Sequence, residues 1–272
     1  MALADNAGSW PQLEVLHISP LSDAGSEAAW QLFNAAGEWR MLQKLNLGGS
    51  TLDTAPAAAM ADAGRRWHSL QCFELGVNSS FGEVPVEAVQ AIAAAAPFWP
   101  GLQRFCLAGY LGEPAFTELC SLLAVARCWS SLQDLQLPGG ASNREPVHVR
   151  QALVRQAASA LAASASSWRQ LRQLRVPPAV YGVEGAALLA SCEPYRQQLT
   201  TFYMVDCALG PGGVQELARY SWPQLQELSI PDNGIGLAGV QTLAAAAACW
   251  PKLDTLWIGL RGGREQRYWP VQ

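Results

Sequence analysis

Residues 222–235 decide how this chain folds, and they read Trp-Pro-Gln-Leu-Gln-Glu-Leu-Ser-Ile-Pro-Asp-Asn-Gly-Ile. Leu228 and Ile230 are two residues apart with a polar residue between them, the pattern of a short β-strand that buries one face. The Asn-Gly pair that follows is typical of a turn. The stretch therefore predicts a buried strand that ends in a tight turn.

The same phrase, a tryptophan followed by apolar residues three, six and eight positions later, recurs along the whole chain. It begins at Trp10, Trp39, Trp67, Trp99, Trp129, Trp168, Trp222 and Trp250, and at Arg196 in a copy without the tryptophan. Successive copies are 29, 28, 32, 30, 39, 28, 26 and 28 residues apart. Self-similarity at a step near 28 residues indicates a repeat architecture in which stacked units share one core.

Alanine-rich segments with apolar residues at helical spacing lie between the copies. Clear examples are residues 27–33, 84–96, 115–126, 149–163 and 237–248. Each unit therefore reads strand, turn, helix. The prediction is one α/β solenoid domain over residues 1–272, with repeats from 10 to 260 and a C-terminal tail or cap at 261–272.

The phrase Leu225-x-x-Leu228-x-Ile230-x-x-Asn233 resembles the leucine-rich repeat, and the step with a full helix is similar to the ribonuclease-inhibitor-like subfamily. Cys207 and Asn78 occupy the asparagine position in two other copies. The remaining copies depart from the pattern, with Leu21, Ser50, Tyr110, Gly140, Ala179 and Arg261 at that position. The resemblance implies a horseshoe of about nine strand–helix repeats, with a parallel sheet on the concave face and helices on the convex face.

The recurrent tryptophans allow two interpretations. They could form an aromatic box for a ligand, or a structural ladder of indoles stacked between units. A binding box needs only one or two copies, whereas a ladder needs one in every unit. The recurrence therefore favours the ladder.

Alternate strand residues should point away from the core and line the concave face, where proteins of this family usually bind. The candidate partner-binding residues on these strands are Lys44, Glu74, Arg104, Asp134, Gln136, Arg175, Tyr203, Glu227 and Trp257. Exposed tyrosine, tryptophan and arginine are the residue types most often found at interface hot spots.

The longest step contains an insertion at residues 139–150, and insertions in repeat proteins map to loops that often carry a binding function. Arg144 and Arg150 lie in it, and Arg172 and Arg175 follow near the next strand. Either these arginines form a basic site for an acidic partner surface or a phosphate, or the loop is solvated and the arginines act separately. Residues 1–136 carry 13 acidic and 6 basic side chains, and residues 137–272 carry 9 and 12. Such charge polarity can orient docking.

Composition excludes several classes of protein. Half of the 272 residues are hydrophobic and 15% are charged, which argues against disorder. The net charge of −4 argues against a general nucleic-acid binder. No apolar run is long enough to span a bilayer, and the N-terminus lacks the features of a secretory signal. Seven scattered cysteines suit a reducing, intracellular compartment and form no metal-ligand pattern.

Catalytic motifs are limited to one match, the G-x-G-x-x-G of residues 234–239. It lies inside the repeat phrase, so a strand-to-helix turn is favoured over a dinucleotide site. We expect no catalytic residues, no cofactor and no metal.

The sequence thus predicts a non-enzymatic protein-interaction scaffold, either an adaptor or an accessory subunit of a larger assembly. Two alternatives stay open. One is a regulator of an enzyme, such as an inhibitor or a GTPase activator, for which Arg144, Arg150 or Arg175 would supply the polar group. The other is a substrate-recognition module. Association through the N-terminal edge strand is a further expectation.

Overall fold

The computed structural model describes residues 10–18, 25–36, 38–48, 52–76, 82–139, 147–176 and 182–259. The side chains of residues 25–29, 147–150 and 154 are not described. Arg144, the greater part of the insertion and the tail from residue 260 onward therefore lie outside the described residues, as does Asn78.

Within these described residues, nine short strands form one parallel sheet in which the spatial order is the sequence order. The strands are β1 (Val15–Ile18), β2 (Lys44–Gly48), β3 (Cys72–Gly76), β4 (Arg104–Ala108), β5 (Asp134–Gln136), β6 (Gln173–Arg175), β7 (Thr201–Tyr203), β8 (Glu227–Ser229) and β9 (Thr255–Trp257). Each predicted repeat contributes one of them, and the unbroken register keeps equivalent residues of successive units side by side.

Helices connect the strands and stack against one another in the same order. Those of the described residues are α1 (Gly25–Ala36), α2 (Thr54–Gly64), α3 (Val86–Ala95), α4 (Glu113–Val125), α5 (Val147–Ser164), α6 (Gly182–Ser191), α7 (Glu193–Gln198), α8 (Gly210–Ala218) and α9 (Gly236–Ala245). Short 3-10 turns follow α3, α4 and α9 just before the tryptophan. The predicted α/β solenoid of the leucine-rich-repeat horseshoe type is confirmed.

The core lies between the sheet and the helices. The second residue of each strand from β2 to β8 points inward and is fully buried: Leu45, Phe73, Phe105, Leu135, Leu174, Phe202 and Leu228. Aromatic members stack across units, with the ring centroids of Phe73 and Phe105 5.8 Å apart. Burial of one large apolar side chain per unit, repeated along the stack, stabilises the solenoid as a single core.

The indoles from Trp39 to Trp250 are buried, which favours the structural ladder over a ligand box. The rings of Trp99, Trp129 and Trp222 pack against those of Phe73, Phe105 and Phe202. Several also donate their indole N–H to a backbone carbonyl about one repeat step earlier in the chain, at or just after the end of a helix. The bonds are Trp67 to Ala36 at 3.0 Å, Trp99 to Gly64 at 2.8 Å, Trp129 to Ala96 at 3.0 Å and Trp168 to Ala126 at 2.8 Å. These carbonyls lie at helix ends, where the last turn leaves acceptors without an intrahelical partner. The indole therefore fills the core and satisfies a backbone group at the same time.

Two copies differ from the expectation. Trp10 is 38% exposed and is not part of the ladder. In the copy without tryptophan, the buried position belongs to Tyr195, not to Arg196. The Tyr195 hydroxyl donates to the Leu161 carbonyl at 2.6 Å, whereas the Arg196 guanidinium stacks over Tyr220. Proline at the start of α7 begins the helix so that the aromatic residue, not the charged one, faces the core.

Asn233 shows why the repeat carries an asparagine. Its buried carboxamide accepts hydrogen bonds from the N–H groups of Cys207 and Leu209, and it donates to the carbonyls of Met204, Ile230 and Pro231. Gly234 and Gly236 follow with positive φ and lead into α9. The G-x-G-x-x-G stretch is therefore the strand-to-helix turn of one repeat.

Candidate interaction surface on the sheet

The outward face of the sheet carries two rows of side chains whose alignment matches the prediction. The central row is His17, Asn46, Glu74, Cys106, Gln136, Arg175, Tyr203, Ser229 and Trp257. The first row, two residues earlier in each strand, runs from Val15 through Lys44, Arg104, Asp134 and Glu227 to Thr255. Neighbouring strands of a sheet are about 4.8 Å apart, so adjacent members of a row are within contact distance.

One cluster spans β2 to β5 and is centred on Arg104. The Arg104 guanidinium lies 2.9 Å from a Glu74 carboxylate oxygen and 3.4 Å from an Asp134 oxygen. Asn46 donates its amide to the other oxygen of Glu74 at 2.6 Å. One cation thus bridges two carboxylates on separate strands, which fixes three side chains that would otherwise be free to rotate.

Burial and charge also act on the titratable groups of this cluster. Burial raises the pKa of Asp134 above its ordinary value of 3.8, and the nearby cations Arg104 and Arg175 oppose that shift. Burial, with a smaller effect of Glu74, raises the pKa of the Cys72 thiol to about 11 and that of Cys106 to about 12. Both thiols are therefore protonated at neutral pH and are poor nucleophiles.

A second cluster spans β5 to β8 and is centred on Arg175. The guanidinium donates to the Gln136 side-chain oxygen at 3.2 Å, and its carbon lies 4.5 Å from the centre of the Tyr203 ring. The Tyr203 hydroxyl in turn donates to Glu227 at 3.0 Å. Burial and the Glu227 carboxylate raise the pKa of Tyr203 to about 12, so the phenol remains a neutral donor.

The central row ends at Trp257, which is 50% exposed. Ser229, beside it in β8, and Thr201 in β7 also point outward, but they are buried, at 5% and 9% exposed. The accessible groups at this end are therefore Tyr203, Glu227 and Trp257.

The other candidate residues are not brought into one site. Lys44 is exposed at the opposite end of the first row. Arg172 is exposed at the rim of the sheet, where it donates to the Gln198 carbonyl at 3.3 Å. Arg150 belongs to α5, but its side chain is outside the described part, and Arg144 is outside it altogether. Of the arginines expected to form a basic site, Arg175 lies on the sheet face. The basic site at the insertion itself stays a prediction.

Sequence reasoning did not select Asn46 or Cys106 as site residues, although both lie in the central row. The signal that could have selected Asn46 is its position directly beside Glu74 in the neighbouring strand.

The described residues contain no group of three or more histidine, cysteine, aspartate or glutamate side chains placed to hold a metal ion. Among these same residues, no helix has both the length and the apolar character needed to cross a bilayer. What the sheet face offers is a fixed set of hydrogen-bonding, charged and aromatic groups.

No protein-family model and no curated protein matches the chain. Among solved structures, a crystal structure of a TLR13–ssRNA13 complex is similar with a TM-score of 0.44 and 13% sequence identity. The similarity covers 93% of this chain and 33% of that chain, so this chain spans about a third of the other's length.

Proposed function

We propose that this protein is a non-enzymatic protein-interaction scaffold, an adaptor or an accessory subunit, which binds a protein partner on the outward face of its sheet. The observation that carries the proposal is the second cluster with Trp257. Gln136, Arg175, Tyr203 and Glu227 hold one another in place across four strands, and an exposed indole lies at the end of the same row.

Prior ordering of these side chains favours binding. An arginine or tyrosine that is already held by its neighbours loses little rotamer freedom when a partner docks. Tyrosine, tryptophan and arginine are also the residues that dominate interface energies. Arg104 offsets one of the two carboxylate charges of Glu74 and Asp134, so the β2–β5 part of the surface is only weakly charged and suits a polar partner more than a highly charged one.

The proposal extends to the repeat subfamily, the cellular compartment and the type of partner. The 28-residue step with a full helix favours the ribonuclease-inhibitor-like subfamily. Seven free cysteines favour a reducing, intracellular compartment. The net charge of −4 and the paired charges of the sheet face favour a protein partner over nucleic acid. Association through the edge of β1 remains a prediction.

The test is affinity capture from the native source with quantitative mass spectrometry, followed by measurement of Kd with the purified partner. Trp257→Ala and Tyr203→Ala should each raise Kd about tenfold or more, as for other hot-spot truncations. Both should leave the melting temperature within a few degrees. Trp30→Ala is the matched control, because this tryptophan is similarly exposed at 40% but lies on helix α1.

The outcomes separate the candidate functions. A partner whose Kd is unchanged by both sheet-face variants contradicts the proposal. If the protein instead stimulates GTP hydrolysis by a captured GTPase and Arg175→Ala abolishes the stimulation, the regulator replaces the scaffold.

A further inference from the structure

The turns that lead from a helix into the next strand lie side by side along one edge of the solenoid. Those before strands β2 to β6 are here called the turn rim, and they are residues 38–43, 65–71, 96–103, 126–133 and 165–172. Successive turns touch one another: the indole of Trp99 bonds to Gly64, and Nδ1 of His68 lies 3.3 Å from the Phe98 carbonyl oxygen. Side chains of the turn rim can therefore act as one surface.

Positive charge predominates on the turn rim. Its exposed arginines are Arg40, Arg65, Arg66, Arg127, Arg169 and Arg172, and its one carboxylate is that of Glu38. Arg66 lies 3.9 Å from Glu38, and no carboxylate of the described residues lies within ion-pair distance of the other five arginines. Asp62, on the last turn of α2, also forms no such pair within the described part. These cations are therefore available to an acidic partner, unlike Arg104 on the sheet, which two carboxylates share.

The middle turn of the rim, residues 96–103, is uncharged. Pro97, Phe98 and Pro100 are exposed there, and 37% of the Phe98 surface is accessible. Arginines lie in the turns on either side of it. An apolar centre inside a polar border is the usual anatomy of a protein–protein interface.

The helix macrodipole accounts for part of this arrangement. It stabilises cations at the C-terminal end of a helix, where Arg65, Arg66 and Arg127 lie. The effect falls off beyond the last turn, and Arg40 and Arg169 follow the buried tryptophan of their turns, several residues after the helix has ended. The dipole also gives no reason for an exposed phenylalanine between the cations.

We propose that the turn rim is a second interaction surface, which binds an acidic segment of a partner protein with an apolar residue between its carboxylates. The apolar residue packs against Phe98, and the carboxylates pair with arginines on both sides. This surface is distinct from the outward face of the sheet, so the proposal does not depend on the proposed function.

The spacing of the units sets the length of the segment. Arg66 and Arg127 belong to turns two units apart, which is about 10–20 Å, since strands are about 4.8 Å apart and packed helices about 10 Å apart. An extended segment covers this span with about three to six residues. A nucleic-acid strand, in contrast, carries closely and evenly spaced phosphates, for which a whole turn without a cation is a poor match.

Fluorescence anisotropy with the full chain tests the proposal. The probe is a fluorescein-labelled peptide with a central phenylalanine and runs of about three glutamates on either side. Arg65→Gln with Arg127→Gln should raise its Kd about tenfold or more, and so should Phe98→Ser. The matched control is Arg155→Gln with Arg219→Gln, which removes the same charge from exposed guanidiniums that are paired with Glu184 and Glu216. The control should leave Kd within about twofold, because its charges lie away from the turn rim and are screened.

Further probes separate the classes of partner. The same peptide with serine in place of phenylalanine should bind about tenfold more weakly, because it loses the apolar contact. The proposal is overturned by absent binding of the phenylalanine peptide, by equal Kd for the two peptides, or by equal effects of the two double variants. Tighter binding of a single-stranded oligonucleotide or of phosphatidylserine vesicles, lost in the Arg65 and Arg127 double variant, would assign the turn rim to nucleic acid or to a membrane surface and would also overturn it.

Discussion

The indole N–H of Trp99 donates a 2.8 Å hydrogen bond to the carbonyl of Gly64, and the same indole packs against the Cα of that glycine. A Cβ at Gly64 would lie 3.2 Å from Cζ2 of Trp99 and 2.8 Å from the Cβ of Ala95. Helix α2, helix α3 and the indole therefore meet at a point where only a glycine fits. The contact couples two consecutive units through one side chain.

Gly64→Ala should consequently destabilise the protein by about 1–3 kcal/mol, because overpacking a close contact outweighs the better helix propensity of alanine. Urea denaturation measures the loss. Gly101→Ala is the control, since an added Cβ there meets no atom within 4 Å. Equal stability of the two variants would show that the helices separate without cost.

The ladder itself is tested by Trp222→Ala. Trp222 is buried, its ring centroid lies 5.5 Å from that of Phe202, and its indole N–H donates to the Leu217 carbonyl of the preceding helix α8 at 3.1 Å. We expect a loss of roughly 3–5 kcal/mol in the free energy of unfolding, as for other buried large-to-small changes. Trp30→Ala, at an exposed position, should cost less than about 1 kcal/mol. A loss below about 1 kcal/mol for Trp222→Ala as well would contradict the structural role.

Much of this fold could be predicted because each strand is specified by a short pattern of apolar residues that recurs in every repeat. Apolar residues at fixed distances from the start of each copy mark where a strand must bury a face, and they predicted each of the nine strands in the part of the chain that the structure describes. The same rule aligned Arg196 with the tryptophans, since it is the residue three before Leu199. The short helix α7 shifts the inward position by one residue, to Tyr195. Spacing predicts a position only where the preceding turn has the same geometry in every copy.

The candidate site was less predictable, because it depends on contacts between strands. Alternation along each strand predicted which residues face outward, and the aligned rows confirm it. It could not predict that Arg175 would stack on Tyr203, or that Ser229 would be covered, because rotamers of long side chains depend on neighbours about 28 residues away.

Asn233→Ala tests the turn that follows β8. The change leaves the buried N–H groups of Cys207 and Leu209 without their acceptor. At roughly 1–3 kcal/mol for each of the two unsatisfied donors, we expect a total loss of about 2–6 kcal/mol by urea denaturation. Asp232→Asn is the control, because this exposed neighbour also has a positive φ, which asparagine tolerates. Unchanged stability of Asn233→Ala would mean that water replaces the carboxamide.

The raised pKa of Asp134 predicts a pH dependence of stability. Burial, opposed by Arg104 and Arg175, holds this pKa above the ordinary value of 3.8, so the folded state keeps the proton to a higher pH than the unfolded state. The contribution of this group to stability therefore falls as pH rises from about 3.8 through the folded pKa, and it is constant above that value.

Asp134→Asn removes the titration. The unfolding free energy of the variant minus that of the unsubstituted protein should grow more positive across this window, in urea titrations from acid to neutral pH. Asp62→Asn, at an exposed position on α2, corrects for the general effect of removing one carboxylate. A difference that shrinks as pH rises would mean that the ion pair with Arg104 dominates over burial, with the pKa of Asp134 lowered instead of raised.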